Sequence, residues 1–275
     1  MKTYNSIKTF LNSEINVESF VPTMGNLHSG HLSLIDEAKK ISKNICVSIY
    51  VNEAQFTSKR DYDAYPVTLD EDIKKLKDLN IDYLLIPDKY DIENFSDPFN
   101  TKLEPKGLTA DLCGKYRPGH FLAVIDIIHR FFQIVKPKNI VLGEKDFQQI
   151  IVIKKLIKIY NYKINVISSP TIRDRNGLAL SSRNNLLSEQ EKIYASDIYK
   201  SLLLSEKLVK KNVSIDKITD EIHELFEESP IKIEYFTIRD LKTLQHVNDS
   251  DLIAFIAGYL GNVRLIDNIV IRLNR

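Results

Sequence analysis

Short apolar runs alternating with helically spaced apolar stripes set the plan of this chain. Residues 20–36 (FVPTMGNLHSGHLSLID) begin as an apolar strand and pass through a glycine-containing turn. They then open a helix in which Leu32, Ile35 and Ala38 recur at helical spacing. Residues 45–51 (ICVSIYV) form a nearly continuous apolar run, as expected of a parallel strand covered on both faces. Thr68 and Glu71 have the spacing of a capping box for a helix reaching about residue 79. Residues 83–86 make the next strand, and Pro87 stops it. Residues 91–106 read as irregular, with Pro98, Pro105 and the following Gly107 as breakers. Residues 120–135 form a strongly apolar helix that ends before Pro137. A strand at 140–142, a helix at 147–160 with Ile150, Ile153 and Ile157 on one face, and a strand at 163–168 follow. This alternation predicts an α/β unit with a parallel sheet and right-handed crossovers. In such sheets ligands bind beyond the carboxyl ends of the strands.

The pattern changes after Pro170. Ser188 and Glu191 cap a long helix to about residue 210, and a second helix runs from 214 to 230. Three β-patterned runs close the chain at 231–238, 252–259 and 263–273, with Gly261-Asn262 as a hairpin turn. The expected organisation is therefore an α/β domain over residues 1–171 and a smaller α+β domain over 172–275.

Composition narrows the function classes. The chain has 275 residues and is 43% hydrophobic, enough to build a substantial core. Its formal net charge of +1 gives no reason to expect a nucleic-acid or anionic-membrane partner. Of the two cysteines, Cys46 sits in an apolar strand run and reads as a buried free thiol, and no CxxC or His/Cys cluster exists. Residues 1–13 lack the apolar core of a signal peptide, and no apolar run is long enough to span a membrane. A cytoplasmic location is expected.

Candidate chemistry gathers in four loops, 24–31, 52–56, 143–149 and 180–183. A strand-turn-helix unit offers phosphate the free N–H groups and positive dipole end of a helix start. Gly25 and Gly30 have P-loop spacing, but His31 and Leu32 stand where Lys and Ser/Thr belong. The third glycine of a dinucleotide fingerprint is also missing. What remains is His28-Ser29-Gly30-His31, two imidazoles that can point together at a phosphate, with Gly30 permitting close backbone approach. Lys145 can neutralise phosphate charge, and Ser181-Ser182-Arg183 offers two hydroxyls and a guanidinium fork to an oxyanion. Gln55 and Gln149 can bond a polar substrate without competing for those cations. No Ser–His–Asp or Cys–His order stands out, so positioning and charge neutralisation are expected rather than a covalent enzyme intermediate.

The segments PTMGNLHSGHLSL, VSIYVNEAQF, RPGHF, GEKDFQQ and DRNGLALSSRN, in that order, closely resemble the pantothenate synthetase (pantoate–β-alanine ligase) family, and the likeness runs on to RLIDNI near the end. The resemblance implies a Rossmann-like nucleotidyltransferase domain with a C-terminal lid domain, assembled as a homodimer. It implies that pantoate attacks Mg-ATP to give pantoyl adenylate, which β-alanine then converts to pantothenate. By position, it implies phosphate-binding roles for His28, His31, Lys145, Ser181, Ser182 and Arg183, with His28 as the proton donor or acceptor. Met24, Gly25, Leu27, Gly30, Gly143, Glu144, Asp146 and Leu180 complete the implied nucleotide site. Asn52, Gln55 and Gln149 are implied for pantoate, and Glu71 and Asp72 for Mg²⁺.

Two positions depart from the family pattern. Glu53 replaces the usual proline after Asn52, and is expected to point away from pantoate. Ala123 replaces a common glycine. His120 is matched, whereas His129, His223 and His246 match nothing functional. The main rival, a nucleotidyltransferase acting on a phosphate-bearing acceptor, predicts more cationic residues in the acceptor pocket. An RNA-binding paralogue predicts a basic face, and a non-catalytic interaction module has no need of His28, His31, Lys145 and Arg183.

Overall fold

The computed structural model describes residues 1–245, 247 and 251–273; His246 lies outside them. The chain divides into two compact units, Met1–Pro170 and Thr171–Arg275. Among the described residues, no helix is long and apolar enough to cross a membrane.

The first unit is built on a six-stranded sheet: β1 (Lys2–Tyr4), β2 (Ser19–Thr23), β3 (Ile45–Ile49), β4 (Tyr83–Leu85), β5 (Asn139–Gly143) and β6 (Asn165–Ser169). The strand order is β1-β4-β3-β2-β5-β6, and every neighbouring pair is parallel. All five residues of β3 are buried, which explains its unbroken apolar run. From β2 the chain builds outward to β3 and β4 on one side, and from β5 it builds to β6 on the other. The winding direction therefore reverses between β2 and β5, and their carboxyl ends flank the crevice that parallel sheets use for ligands. Helix Ser29–Ile41 follows β2 and buries Leu34, Ile35 and Ala38, while Leu32, expected on that face, is partly buried against the same core. Helix His120–Val135 runs as expected.

Three local expectations are corrected. Residues 91–106 are not wholly irregular: a helix spans Lys89–Phe95, with the Asp88 side chain accepting from the Asp91 N–H as its cap. Helix Leu69–Asp78 forms, but Thr68 makes no capping bond; its hydroxyl turns to the Asn26 side chain instead. The Ser188–Glu191 box does form, yet the helix it opens stops at Ala195 and a new one begins at Asp197.

The second unit carries a three-stranded antiparallel sheet in which β7 (Ile231–Asp240) and β9 (Val263–Ile271) flank β8 (Leu252–Leu260). Leu260 pairs with Val263, so Gly261 (φ +57°) and Asn262 make the two-residue hairpin turn. Helices Asp197–Lys210 and Ile215–Leu225 cover the sheet, with Leu202, Ile218 and Ile222 fully buried against it.

Candidate active site

In the first unit, the turn after β2 departs sharply from extended backbone. Gly25 and Asn26 adopt positive φ (+79° and +48°) before the helix opens. A Cβ on Gly25 would lie 3.1 Å from Asp72 Oδ2 and 3.2 Å from Ile49 Cγ2, so the position takes glycine for conformation and for space. The turn is held from beneath. Asn26 N donates to Asp72 Oδ2 (2.8 Å), Leu27 N donates to Asp72 Oδ1 (2.7 Å), and Lys75 Nζ donates to Leu27 O (2.7 Å).

His28 and His31 then cap the helix they begin. Gly30 N donates to His28 Nδ1 (3.1 Å), and His28 N donates to His31 Nδ1 (3.4 Å), a reciprocal box built from two imidazoles. The ring centroids lie 4.1 Å apart. A ring nitrogen that accepts an N–H bond carries no proton in the neutral imidazole, so each ring holds its proton on Nε2. Burial first, and then the Lys145 and Lys75 charges, lower His28 to about 4. Burial, the neighbouring His28 and the same two lysines lower His31 to about 3. His28, which the resemblance offers as a proton donor or acceptor, is thus held well below the ordinary histidine range. At neutral pH both rings are uncharged Nε2–H donors.

Lys145 follows Gly143, the last residue of β5, and its side chain is 19% exposed, with Nζ 3.8 Å from Asp146 Oδ2. Its charge contributes to lowering both histidines. Glu144 is turned aside and accepts from Ser168 Oγ (2.8 Å).

The loop after β3 lies on the other side of β2. Asn52, 8% exposed, donates from Nδ2 to Gln55 Oε1 (3.0 Å) and to Ala123 O (3.2 Å). Gln55 Nε2 approaches Met24 Sδ (3.8 Å), tying this loop to the one after β2. The Gln55 carbonyl accepts from Arg117 Nη2 (3.0 Å) and from His120 Nδ1 (2.9 Å), which gives His120 a positioning role at its helix start. Gln149 is half-buried, and among the described residues its amide has no hydrogen-bond partner, so it is available to a ligand. Its neighbour Gln148 is committed: Nε2 donates to Leu108 O and Asp111 O, and Oε1 accepts from Cys113 N. Glu53 is exposed and 3.9 Å from Lys89 Nζ, a screened surface pair.

In the second unit, Arg173 binds Asp267 with both terminal guanidinium nitrogens and stacks 3.6 Å over the Tyr199 ring. Asp174 Oδ1 accepts from Asn176 N and Leu178 N, closing the tight turn that leads to Leu180. Ser181 Oγ then accepts from Arg183 N (3.3 Å) at the start of a 3₁₀ turn, in which Ser182 is buried and Arg183 half-buried.

The turn and the two loops of the first unit therefore bring Met24, Gly25, Gly30, His28, His31, Asn52, Gln55, Gly143, Lys145, Asp146 and Gln149 to one end of the sheet. Three assignments change. Leu27 is 2% exposed with its N–H and carbonyl both engaged, so it supports the turn from below. Glu71 and Asp72 do not fit a shared metal site. Successive helical residues diverge by about 100°; Glu71 is exposed, while Asp72 is 0% exposed with both oxygens on backbone N–H groups. Among the described residues, no group of three or more His, Cys, Asp or Glu could hold a metal ion. Lys75 lies outside the matched motifs, and Arg117 lies within RPGHF but carries no role implied by the resemblance.

Neutral N–H donors and a lysine at the switch point of a parallel sheet define the class: an enzyme that handles nucleotide phosphates. The family model for pantoate-beta-alanine ligase matches residues 1–270. Pantothenate synthetases from Acinetobacter baylyi and Thermodesulfovibrio yellowstonii are 41% and 39% identical, each match covering 92% of this chain and 90–91% of the relative. The crystal structure of pantothenate synthetase from Thermus thermophilus superposes with a TM-score of 0.92 at 30% identity, covering 99% of this chain and 100% of the other. That of pantoate-beta-alanine ligase from Francisella tularensis, complexed with beta-gamma ATP and beta-alanine, has a TM-score of 0.80 at 36% identity and covers 98% and 97%. The chain belongs to the pantoate-beta-alanine ligase family.

Proposed function

We propose that this chain condenses pantoate with β-alanine at the expense of ATP, through a pantoyl-adenylate intermediate. A carboxylate is a poor electrophile because its leaving group would be oxide. Attack of one pantoate carboxylate oxygen on the α-phosphorus of ATP, taken as its magnesium complex, releases pyrophosphate and converts that oxygen into part of an AMP leaving group. The β-alanine amine then attacks the acyl carbon, AMP departs with the transferred oxygen, and the amine gives up a proton.

The observation that carries this reading is the reciprocal His28–His31 cap beside Lys145. Two anions meet in the first step. Uncharged Nε2–H donors and one lysine are offered to the phosphate oxygens, with Asp146 the carboxylate nearest that lysine. A well-placed oxyanion donor is typically worth ~3–4 kcal/mol of barrier. Gln55 and Gln149 suit the acid substrate because their amides are neutral, so they bond pantoate without pairing with Lys145. A phosphate-bearing acceptor calls for cations there instead. Ser181, Ser182 and Arg183 of the second unit are proposed to bind the outer phosphates, supported by their match to the family pattern and by the tightly bonded turn that presents them. Homodimer formation and a cytoplasmic location belong to the same reading.

The test is stoichiometric. Purified protein given pantoate, β-alanine and Mg-ATP should yield pantothenate, AMP and pyrophosphate in equal amounts. Formation of ADP and inorganic phosphate, or no product without a phosphorylated acid, would exclude it.

A further inference from the structure

We infer that Asp72 and Lys75 are positioning residues for ATP, together holding the turn that presents the two histidines; this rests on the ligase reading above. The acid sits on helix Leu69–Asp78, with the lysine one turn further on. Asp72 is 0% exposed and takes the N–H groups of Asn26 and Leu27 on separate oxygens, while Lys75 takes the Leu27 carbonyl. Three consecutive backbone groups of the turn are thus fixed by one helix face. The backbone they fix is one that L-residues seldom adopt: Asn26 lies at φ +48° directly after Gly25 at φ +79°. Without the carboxylate, the Asn26 and Leu27 N–H groups would lose their acceptor.

The consequence for the site is directional. Leu27 precedes His28, whose N–H and ring make the reciprocal cap. A turn that relaxes toward negative φ would move His28, and with it the reciprocal cap, from the place it now holds. Asp72 thus acts on ATP through the turn, without touching it, and its anion is spent on backbone dipoles. Lys75 adds charge on the histidine side, since it lowers both rings.

The test uses the full chain with Asp72→Asn, Lys75→Met and Lys75→Arg. Asparagine keeps the shape but replaces one acceptor by a donor facing an N–H. Two readouts are needed: amide hydrogen exchange at Asn26 and Leu27, and the ATP dissociation constant measured both in EDTA and with Mg²⁺. Since a displacement of about 1 Å costs roughly 10²-fold in a well-built site, Asp72→Asn should weaken ATP at least tenfold in both conditions. Exchange at the two amides should accelerate, and the pantoate KM should be unchanged. Lys75→Met should show the same pattern more weakly, and Lys75→Arg should restore it. A loss of ATP affinity seen only with Mg²⁺ would make Asp72 a metal ligand and overturn the inference. So would unchanged exchange and ATP binding in folded Asp72→Asn. Should Asp72→Asn fail to fold, the lysine pair decides: Lys75→Met equal to wild type in exchange and affinity overturns it. Failure of wild-type protein to bind ATP at all would instead sink the ligase reading, while the exchange result would still stand.

Discussion

Replacing Gly25 with alanine separates backbone conformation from crowding, because two other glycines serve as internal controls. Gly107 has open space where a Cβ would go and no positive φ, so alanine there only restricts the unfolded chain, a gain of ~0.4–1 kcal/mol. Gly119 has φ +80° but nothing within 4 Å of a new Cβ. It carries the left-handed penalty of ~1–2 kcal/mol, less that same entropic gain, for a net cost near 1 kcal/mol. Gly25 has the same φ and in addition sets its Cβ 3.1 Å from Asp72 Oδ2. Relief requires that oxygen to move by a few tenths of an ångström, away from the Asn26 N–H it accepts at 2.8 Å. A hydrogen bond to a charged group is worth about 1.5–3 kcal/mol, so weakening one by half adds roughly 1 kcal/mol. Gly25→Ala should therefore cost about 2 kcal/mol, about twice Gly119→Ala, while Gly107→Ala is neutral or stabilising. Denaturant unfolding of the three variants measures this, with ATP affinity alongside. Gly25→Ala matching Gly119→Ala in stability, with wild-type ATP affinity, would refute the claim that Asp72 is packed under the turn.

Further outcomes follow from the same geometry. His28 and His31 are lowered to about 4 and about 3, so the unfolded chain takes up protons that the folded chain refuses. Their contribution is complete above pH ~6.5 and is lost as pH falls toward those values, at about 1.4 kcal/mol per pH unit for each ring. Unfolding free energies from pH ~7 to ~5 should thus fall less steeply in His31→Gln than in wild type. Gln148→Ala removes three hydrogen bonds within the first unit and should cost about 2–4 kcal/mol, whereas Gln149→Ala should leave stability within about 0.5 kcal/mol of wild type and raise the pantoate KM. Glu53→Gln should change the pantoate KM less than about twofold, since a screened, exposed charge is worth little; a larger fall in KM would put Glu53 at the acid pocket.

The parallel sheet was legible because β3 and the helices after β2 and β5 each carry an apolar pattern long enough to count. β1 was not: three residues, of which only Tyr4 is even half-buried, give no period. Helix Lys89–Phe95 was hidden because it buries only Ile92 and stands among prolines. The break at Ser196 leaves the apolar spacing almost unchanged, so periodicity passes over it. In the site, the motif residues could be read because they lie in loops, where apolar packing does not explain them. The resemblance offers Asp72 as a Mg²⁺ ligand and gives Lys75 no role. Yet Leu69, Asp72, Ile73 and Leu76 follow the i, i+3, i+4, i+7 positions of an inner stripe, and a carboxylate in such a stripe demands a buried partner. That signal stands in the sequence and points to a buried structural partner rather than to a metal. The tautomers of His28 and His31 had no signal at all, since they depend on which backbone N–H each ring meets.

Pyrophosphate exchange tests the adenylate most directly. Protein, Mg-ATP, labelled pyrophosphate and pantoate, with no β-alanine, should return label to ATP, and omitting pantoate should abolish it. Label returning without pantoate, or none returning from folded protein shown to bind both ATP and pantoate, would contradict the account.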